Sequence, residues 1–187
     1  MKVLVLDNYD SFTYNLVHYC EEFCDSVEVR RNDQIALEEF EGFDKVLLSP
    51  GPGLPKDAGC MMEFLKRYAD EKSILGVCLG LQAIGEHFGA RLENLEYVLH
   101  GKSSQLKSQC KSPLFESLPH QFQIGHYHSW VIHPESIPAD LEVIASNEDG
   151  LVMAIQHRDL PIFGVQFHPE SVLTPQGRKI IQNWLAL

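Results

Sequence analysis

The sequence predicts an α/β protein: a mostly parallel central sheet flanked by helices, with an antiparallel extension. Three observations predict it. The first half alternates short apolar runs with stretches of helical spacing. Those apolar runs are continuous, as in strands buried on both faces. After about residue 90 the alternation gives way to short strand-like runs separated by proline and Asp/Gly turns. At 187 residues, with no repeat or linker, one domain spanning 1–187 is expected.

Each element has a local reason. From Lys2 to Leu6 the chain runs through four consecutive apolar residues without alternation, read as a buried strand. A polar turn, Asp7-Asn8-Tyr9-Asp10-Ser11, follows, with Ser11 as the expected N-cap of a helix to about Phe23. Val27-Glu28-Val29 alternates as a second strand, and residues 34–40 read as a short helix. Residues 44–48 form another apolar strand, closed by the breaker-rich loop Ser49-Pro50-Gly51-Pro52-Gly53-Leu54-Pro55. A helix over 58–69, a strand over 74–77 and a helix over 79–88 come next. This strand–helix order implies right-handed crossovers and parallel pairing. Strand-like runs then fall at 97–99, 121–124, 129–132, 141–145, 151–156 and 162–167. A last helix is expected over 175–185, with Pro175 at its first position.

Composition narrows the function classes. Lys+Arg number 15 against 26 Asp+Glu, a net charge of −11. That argues against a broad nucleic-acid or anionic-membrane surface. No apolar stretch approaches the roughly 20 residues of a membrane span. Met1-Lys2 leads into a short apolar run and then Asp7, without the longer apolar region of a signal peptide, so a cytoplasmic location is expected. The five cysteines, an odd number, do not suggest a disulfide framework.

One cysteine has a distinct setting. Gly76-Val77-Cys78-Leu79-Gly80 is a G-x-C-x-G run between an expected strand and an expected helix. It is the thiol counterpart of the G-x-S-x-G nucleophile elbow. A sharp turn lifts the nucleophile above the sheet, and the following helix N-terminus favours a thiolate. The backbone N–H of Leu79 then points where an oxyanion would form. Alone, the pattern also fits a structural cysteine beside packing glycines. A thiol nucleophile needs a base and an orienting acid. His168-Pro169-Glu170 follows the last apolar run, at a strand end, where α/β sites collect. There Glu170 is placed to orient His168. His126 and His128 have no structural-zinc spacing with any cysteine and are read as packing or pocket lining. The Ser49–Gly53 loop offers backbone N–H groups for an oxyanion or a carboxylate, but it lacks the G-K-[ST] of a phosphate loop.

Together these pieces resemble the class I (triad) glutamine amidotransferases along essentially the whole chain. Three blocks carry the resemblance: Ser49-Pro50-Gly51-Pro52-Gly53, Gly76-Val77-Cys78-Leu79-Gly80-Leu81-Gln82 and Gly164-Val165-Gln166-Phe167-His168-Pro169-Glu170-Ser171. Within that class, residues 7–16, His100-Gly101-Lys102 and Tyr127-His128-Ser129 are similar to the small glutaminase subunits of anthranilate synthase and aminodeoxychorismate synthase. Ala58-Gly59-Cys60-Met61 leans to the anthranilate branch.

The resemblance implies a flavodoxin-like fold and a catalytic triad of Cys78, His168 and Glu170 acting on L-glutamine. It implies an oxyanion site at Leu79 and the Gly51-Pro52-Gly53 loop. Gln82, Ser129 and the backbone near Trp130 are expected to bind the α-amino and α-carboxylate groups of the substrate. Ammonia is expected to pass to a large, chorismate-binding synthase subunit that carries the Mg²⁺. Accordingly, neither a cofactor nor a metal is expected in this chain. A partner face is expected near the Asp7–Phe12 turn. A stand-alone γ-glutamyl thiol hydrolase and a non-catalytic subunit are the remaining readings. The chain departs from the usual family pattern at Leu81, where histidine is common, and at Trp130, where leucine is common.

Overall fold

Period and polarity select the elements, and side-chain chemistry at their ends sets the boundaries. The computed structural model describes residues 1–187. In chain order the main elements are β1 (Lys2–Asp7), α1 (Thr13–Glu21), β2 (Ser26–Arg31), β3 (Lys45–Leu48), α2 (Met61–Tyr68), β4 (Ser73–Val77) and α3 (Leu79–His87). They continue with β5 (Leu92–Ser108), β6 (Gln121–Ile132), β7 (Leu141–Asn147), β8 (Val152–His157), β9 (Ile162–Val165) and α4 (Gly177–Ala186).

One nine-stranded sheet runs in the order β2-β1-β3-β4-β9-β8-β7-β5-β6. The first five strands are parallel, and the remaining pairings are antiparallel. Alternation along β1 divides the interior. Val3 and Val5 join one core under α1 and α4, with Leu16, Ile180 and Trp184. Leu4 and Leu6 join the other under α2 and α3, with Phe64, Leu65 and Ile84. Lys45 is buried in β3, where its ammonium donates to the Trp184 carbonyl in the last turn of α4 and to Ser73 Oγ, both at 3.2 Å. A cation there complements the carbonyl end of the helix.

Several boundaries differ from the sequence expectations. Ser11 does not cap α1: the helix starts at Thr13, and Phe12 occupies the cap without a side-chain bond. Carboxylates take over the role. Asp10 accepts the Phe12 N–H at 2.7 Å, and Asp7 Oδ1 accepts from the Tyr9 N–H and the Thr13 hydroxyl, each at 2.9 Å. The expected helix at 34–40 is a 3-10 turn over Leu37–Gly42. The helix expected from residue 58 starts at Met61, because Gly59 takes φ +52. Pro175 is not the first residue of the last helix; α4 begins at Gly177 after Gln176. A Cβ at Gly177 would lie 1.7 Å from the Pro169 carbonyl oxygen, so the helix start is wedged against the His168–Glu170 turn.

The largest difference lies in the extension. The runs expected at 121–124 and 129–132 are one strand, β6, continuous through Gly125-His126-Tyr127-His128. The run at 97–99 is part of the 17-residue β5, which pairs with β6 through two register shifts. The intervening polar residues look like a loop in sequence because their partners lie across the strand, out of reach of a local pattern.

Leu81, where the family resemblance leads one to expect histidine, is fully buried against Gly164 of β9. It packs α3 onto the sheet. Gly80 is as constrained: a Cβ there would meet the Leu48 carbonyl oxygen at 2.4 Å. Gly80→Ala is expected to destabilise the protein by about 1–3 kcal/mol through overpacking. Urea denaturation reads this as a lower midpoint, and an unchanged midpoint would refute the close approach.

Candidate active site

Cys78 sits between β4 and α3 with φ 51 and ψ −100, a conformation that L residues rarely adopt. Three contacts hold it there. Its N–H donates to Val165 O of β9 at 2.8 Å, and its carbonyl accepts the Gln82 N–H at 3.1 Å. Gly76 leaves no room for a Cβ, since one would lie 2.4 Å from the Gly80 backbone. The strand end is thereby pressed against the first turn of α3, and the side chain turns up at the helix N-terminus.

The base comes from the next parallel strand. His168 follows β9, and its N–H donates to Gly125 O of β6 at 3.0 Å. Its Nδ1 bonds Glu170 Oε1 at 2.5 Å, with both side chains almost fully buried. His168 Nε2 has no other protein partner and lies on the Cys78 side of the ring. Burial opposes the imidazolium. Bonding and charge from Cys78 and Glu170 outweigh it, raising the His168 pKa to about 10. Cys20, Cys24, Cys60 and Cys110 are all pushed up by burial, which favours their neutral thiol forms.

Most of the expected substrate residues share one cavity. Gly51, Pro52, Gly53, Cys78, Gln82, Ser129 and Trp130 line a pocket of about 180 Å³, together with Tyr127 and His128. Leu79 is buried beneath it, close enough to Gly51 that a Cβ there would meet the Leu79 side chain at 3.0 Å. Gln82 Nε2 donates to the Trp130 carbonyl at 2.9 Å, so the leucine-to-tryptophan departure leaves a backbone contact in place. Ser49 and Asn8 brace the glycine loop: the Asn8 N–H donates to Ser49 Oγ at 2.9 Å and its Nδ2 to Ser49 O at 2.8 Å. A larger cavity of about 580 Å³ lies between Ser108 and His120 and contains none of the expected site residues. No group of three His, Cys, Asp or Glu side chains is arranged to hold a metal.

Sequence reading left four neighbours without a catalytic role. Tyr127 packs edge-on against the His168 ring at 5.0 Å and touches Ser171 Oγ through its hydroxyl at 3.3 Å. His126 and His128 pair at 3.1 Å, and His126 Nε2 reaches Ser104 Oγ at 2.7 Å. Burial, with His168 adding to it, lowers His126 to about 4. Burial, then His126 and His168, lowers His128 to about 3. The two therefore stay neutral beside the triad. Gln166 is the fourth, reaching Cys78 Sγ from below at 3.5 Å. The alternating His-Tyr-His of β6 was the available signal for the first three. It becomes readable only once 121–132 is recognised as one strand.

The glutamine amidotransferase class-I family model matches residues 4–187. Among curated proteins, an aminodeoxychorismate/anthranilate synthase component 2 from Bacillus subtilis is 43% identical, covering 98% of this chain and 95% of its own. An anthranilate synthase component 2 from Mycobacterium tuberculosis is 46% identical, covering 99% of this chain and 82% of its own. Among solved structures, a GMP synthase subunit from Thermoplasma acidophilum superposes with a TM-score of 0.89 at 27% identity. That match covers 100% of this chain and 92% of the other.

The His168 environment sets an expectation for pH. Since part of the rise comes from Cys78, Cys78→Ala is expected to lower the His168 pKa from its value near 10, as read by imidazole NMR titration. A native pKa above the unfolded value stabilises the fold fully below about pH 6.5 and ceases to do so as pH rises through about 10. An identical His168 titration in the variant would show that the thiol does not act on the ring.

Proposed function

The chain belongs to the class I glutamine amidotransferases, and on that premise we propose that it is the glutaminase component of a chorismate-using synthase, most simply anthranilate synthase. The observation that carries the reading is the buried His168–Glu170 pair beside the strained Cys78 elbow, all at one pocket.

The chemistry follows from those atoms. Glutamine enters the pocket with its side-chain amide over Cys78. His168, held as the imidazolium, already carries the thiol proton, and the negatively charged Sγ attacks the amide carbon. Glu170, bonded to Nδ1, stabilises the imidazolium. Negative charge develops on the amide oxygen at the N-terminus of α3, where the Leu79 N–H and the glycine loop supply donors. His168 then gives its proton to the departing nitrogen, releasing ammonia and leaving a γ-glutamyl thioester. His168 next takes a proton from water. The resulting hydroxide attacks the thioester, releasing glutamate and restoring the charged sulfur opposite the imidazolium. Gln82, Ser129 and the Trp130 backbone meet the polar groups of the substrate. This sequence calls on no cofactor in the chain; the Mg²⁺ of the synthase reaction belongs to the chorismate-binding subunit.

The partner reading has its own support. Phe12 and Val172 are exposed at 43% and 94% and line a small cavity together with Glu170, which suits a covered route for ammonia; Tyr9 and Tyr14 of the same turn region are also exposed. The second reading is the aminodeoxychorismate branch, or a subunit shared by both synthases, favoured by the B. subtilis relative, whose name carries both activities. The five free thiols suit a reducing compartment, and we assign the cytoplasm.

The test uses the complex with the large subunit. Cys78→Ala is expected to abolish glutamine-dependent synthesis and leave ammonia-dependent synthesis intact. Retained glutamine-dependent turnover would remove Cys78 from the mechanism. Supplying anthranilate and aminodeoxychorismate large subunits in turn, and identifying the product, separates the two branches.

A further inference from the structure

Gln166 is fully buried just beyond β9, and the steps above use none of its atoms. Its backbone is pinned, with the N–H donating to Met153 O at 2.8 Å. Both ends of its side chain are occupied. Oε1 accepts from Gln82 Nε2 at 3.3 Å, and Nε2 donates to Cys78 Sγ at 3.5 Å. The amide cannot be turned over freely. Reversed, its NH₂ would face the NH₂ of Gln82, which the Trp130 carbonyl holds from the other side at 2.9 Å. Its oxygen would then face the sulfur. A fully buried amide costs stability unless bonded, and an apolar side chain would fill this space without that demand.

We infer that Gln166 is a further catalytic residue: its N–H supports the Cys78 sulfur while its carbonyl fixes Gln82 with that residue's own oxygen open to the substrate pocket. Gln82 Oε1 has no protein partner and is not sealed from the pocket that Gln82 lines. An acceptor presented there suits the α-ammonium group of an amino acid. With the thiol proton held on His168, the electron pair stays on sulfur and the Gln166 N–H bonds to it; no covalent bond of Gln166 changes. One amide thus ties the nucleophile to the acceptor that positions the substrate. The inference rests on the glutaminase reading.

Iodoacetamide alkylation of Cys78 in the full chain, followed across pH by peptide mass spectrometry, tests it. The titratable group bonded to the sulfur is His168, and Glu170 after β9, His126 and His128 of β6 and Asp10 before α1 act in turn on His168. All are retained in Gln166→Met. Loss of a hydrogen bond to a charged sulfur is expected to move the acid limb of alkylation up by about one pH unit. The glutamine KM of the complex is expected to rise as Gln82 loses its partner. A folded variant with the wild-type alkylation profile would overturn the inference. A second measurement needs no variant at Gln166. In the native protein, the Gln166 side-chain amide resonance is expected to move when iodoacetamide caps the Cys78 sulfur; a static resonance would also overturn the inference. If wild-type Cys78 itself resisted alkylation, the glutaminase reading would fall as well. A reactive wild type with a flat comparison would remove only Gln166.

Discussion

The site depends on one constraint: the backbone of Cys78 must hold a positive-φ turn at the junction of β4 and α3. Such a turn is costly, on the order of 1–3 kcal/mol for a non-glycine residue. The surroundings hold it in place. Gly76 and Gly80 let strand and helix approach to a distance that no side chain would permit. The bond from the Cys78 N–H to Val165 O locks the strained residue to β9. Because β9 also delivers His168, the hydrogen bond that stabilises the strain fixes the spacing between Cys78 and His168. Fold and candidate site share the same contacts here.

A second consequence is that the triad is dry. His168 and Glu170 are at most 5% exposed, and Tyr127 covers the imidazole from β6. In such a setting an ion pair costs more to form and interacts more strongly once formed. The neighbouring imidazoles show how this is kept from becoming a liability. His126 and His128 are held neutral by burial and by the positive charge of His168. The site therefore carries one imidazolium, opposite the sulfur and the carboxylate, rather than three competing cations.

How much of this could be read from the sequence varied with the range of the interaction. The parallel half was legible because its strands are unbroken apolar runs and its helices follow at short range. Cys78, His168 and Glu170 were legible because the elbow glycines and the His-Pro-Glu turn are local patterns. Helix starts were less so: Ser11 is a good cap by type, but the carboxylates of Asp7 and Asp10 reached the free N–H groups first. The extension was the least legible. Gly125-His126-Tyr127-His128 resembles a loop until β5 is seen to pair with it, because its polar side-chain atoms, except His128 Nδ1, meet Ser104, Ser171 and one another. Gln166 was present in a quoted motif without a role, since its partners lie on two other elements.

Tyr127 brings these threads together. It lines the pocket beside Cys78 and also the small cavity lined by Glu170, Phe12, Asn15 and Val172, so one aromatic ring is shared by the two cavities. Its own position is set by Phe12 of the β1–α1 turn at 5.8 Å and by His100 of β5 at 5.1 Å. Phe12 is an exposed residue in the chain taken alone. Phe12 thus bears, through the Tyr127 ring, on the ring packed against the His168 imidazole, and the apolar β1–α1 turn is part of that side chain's support.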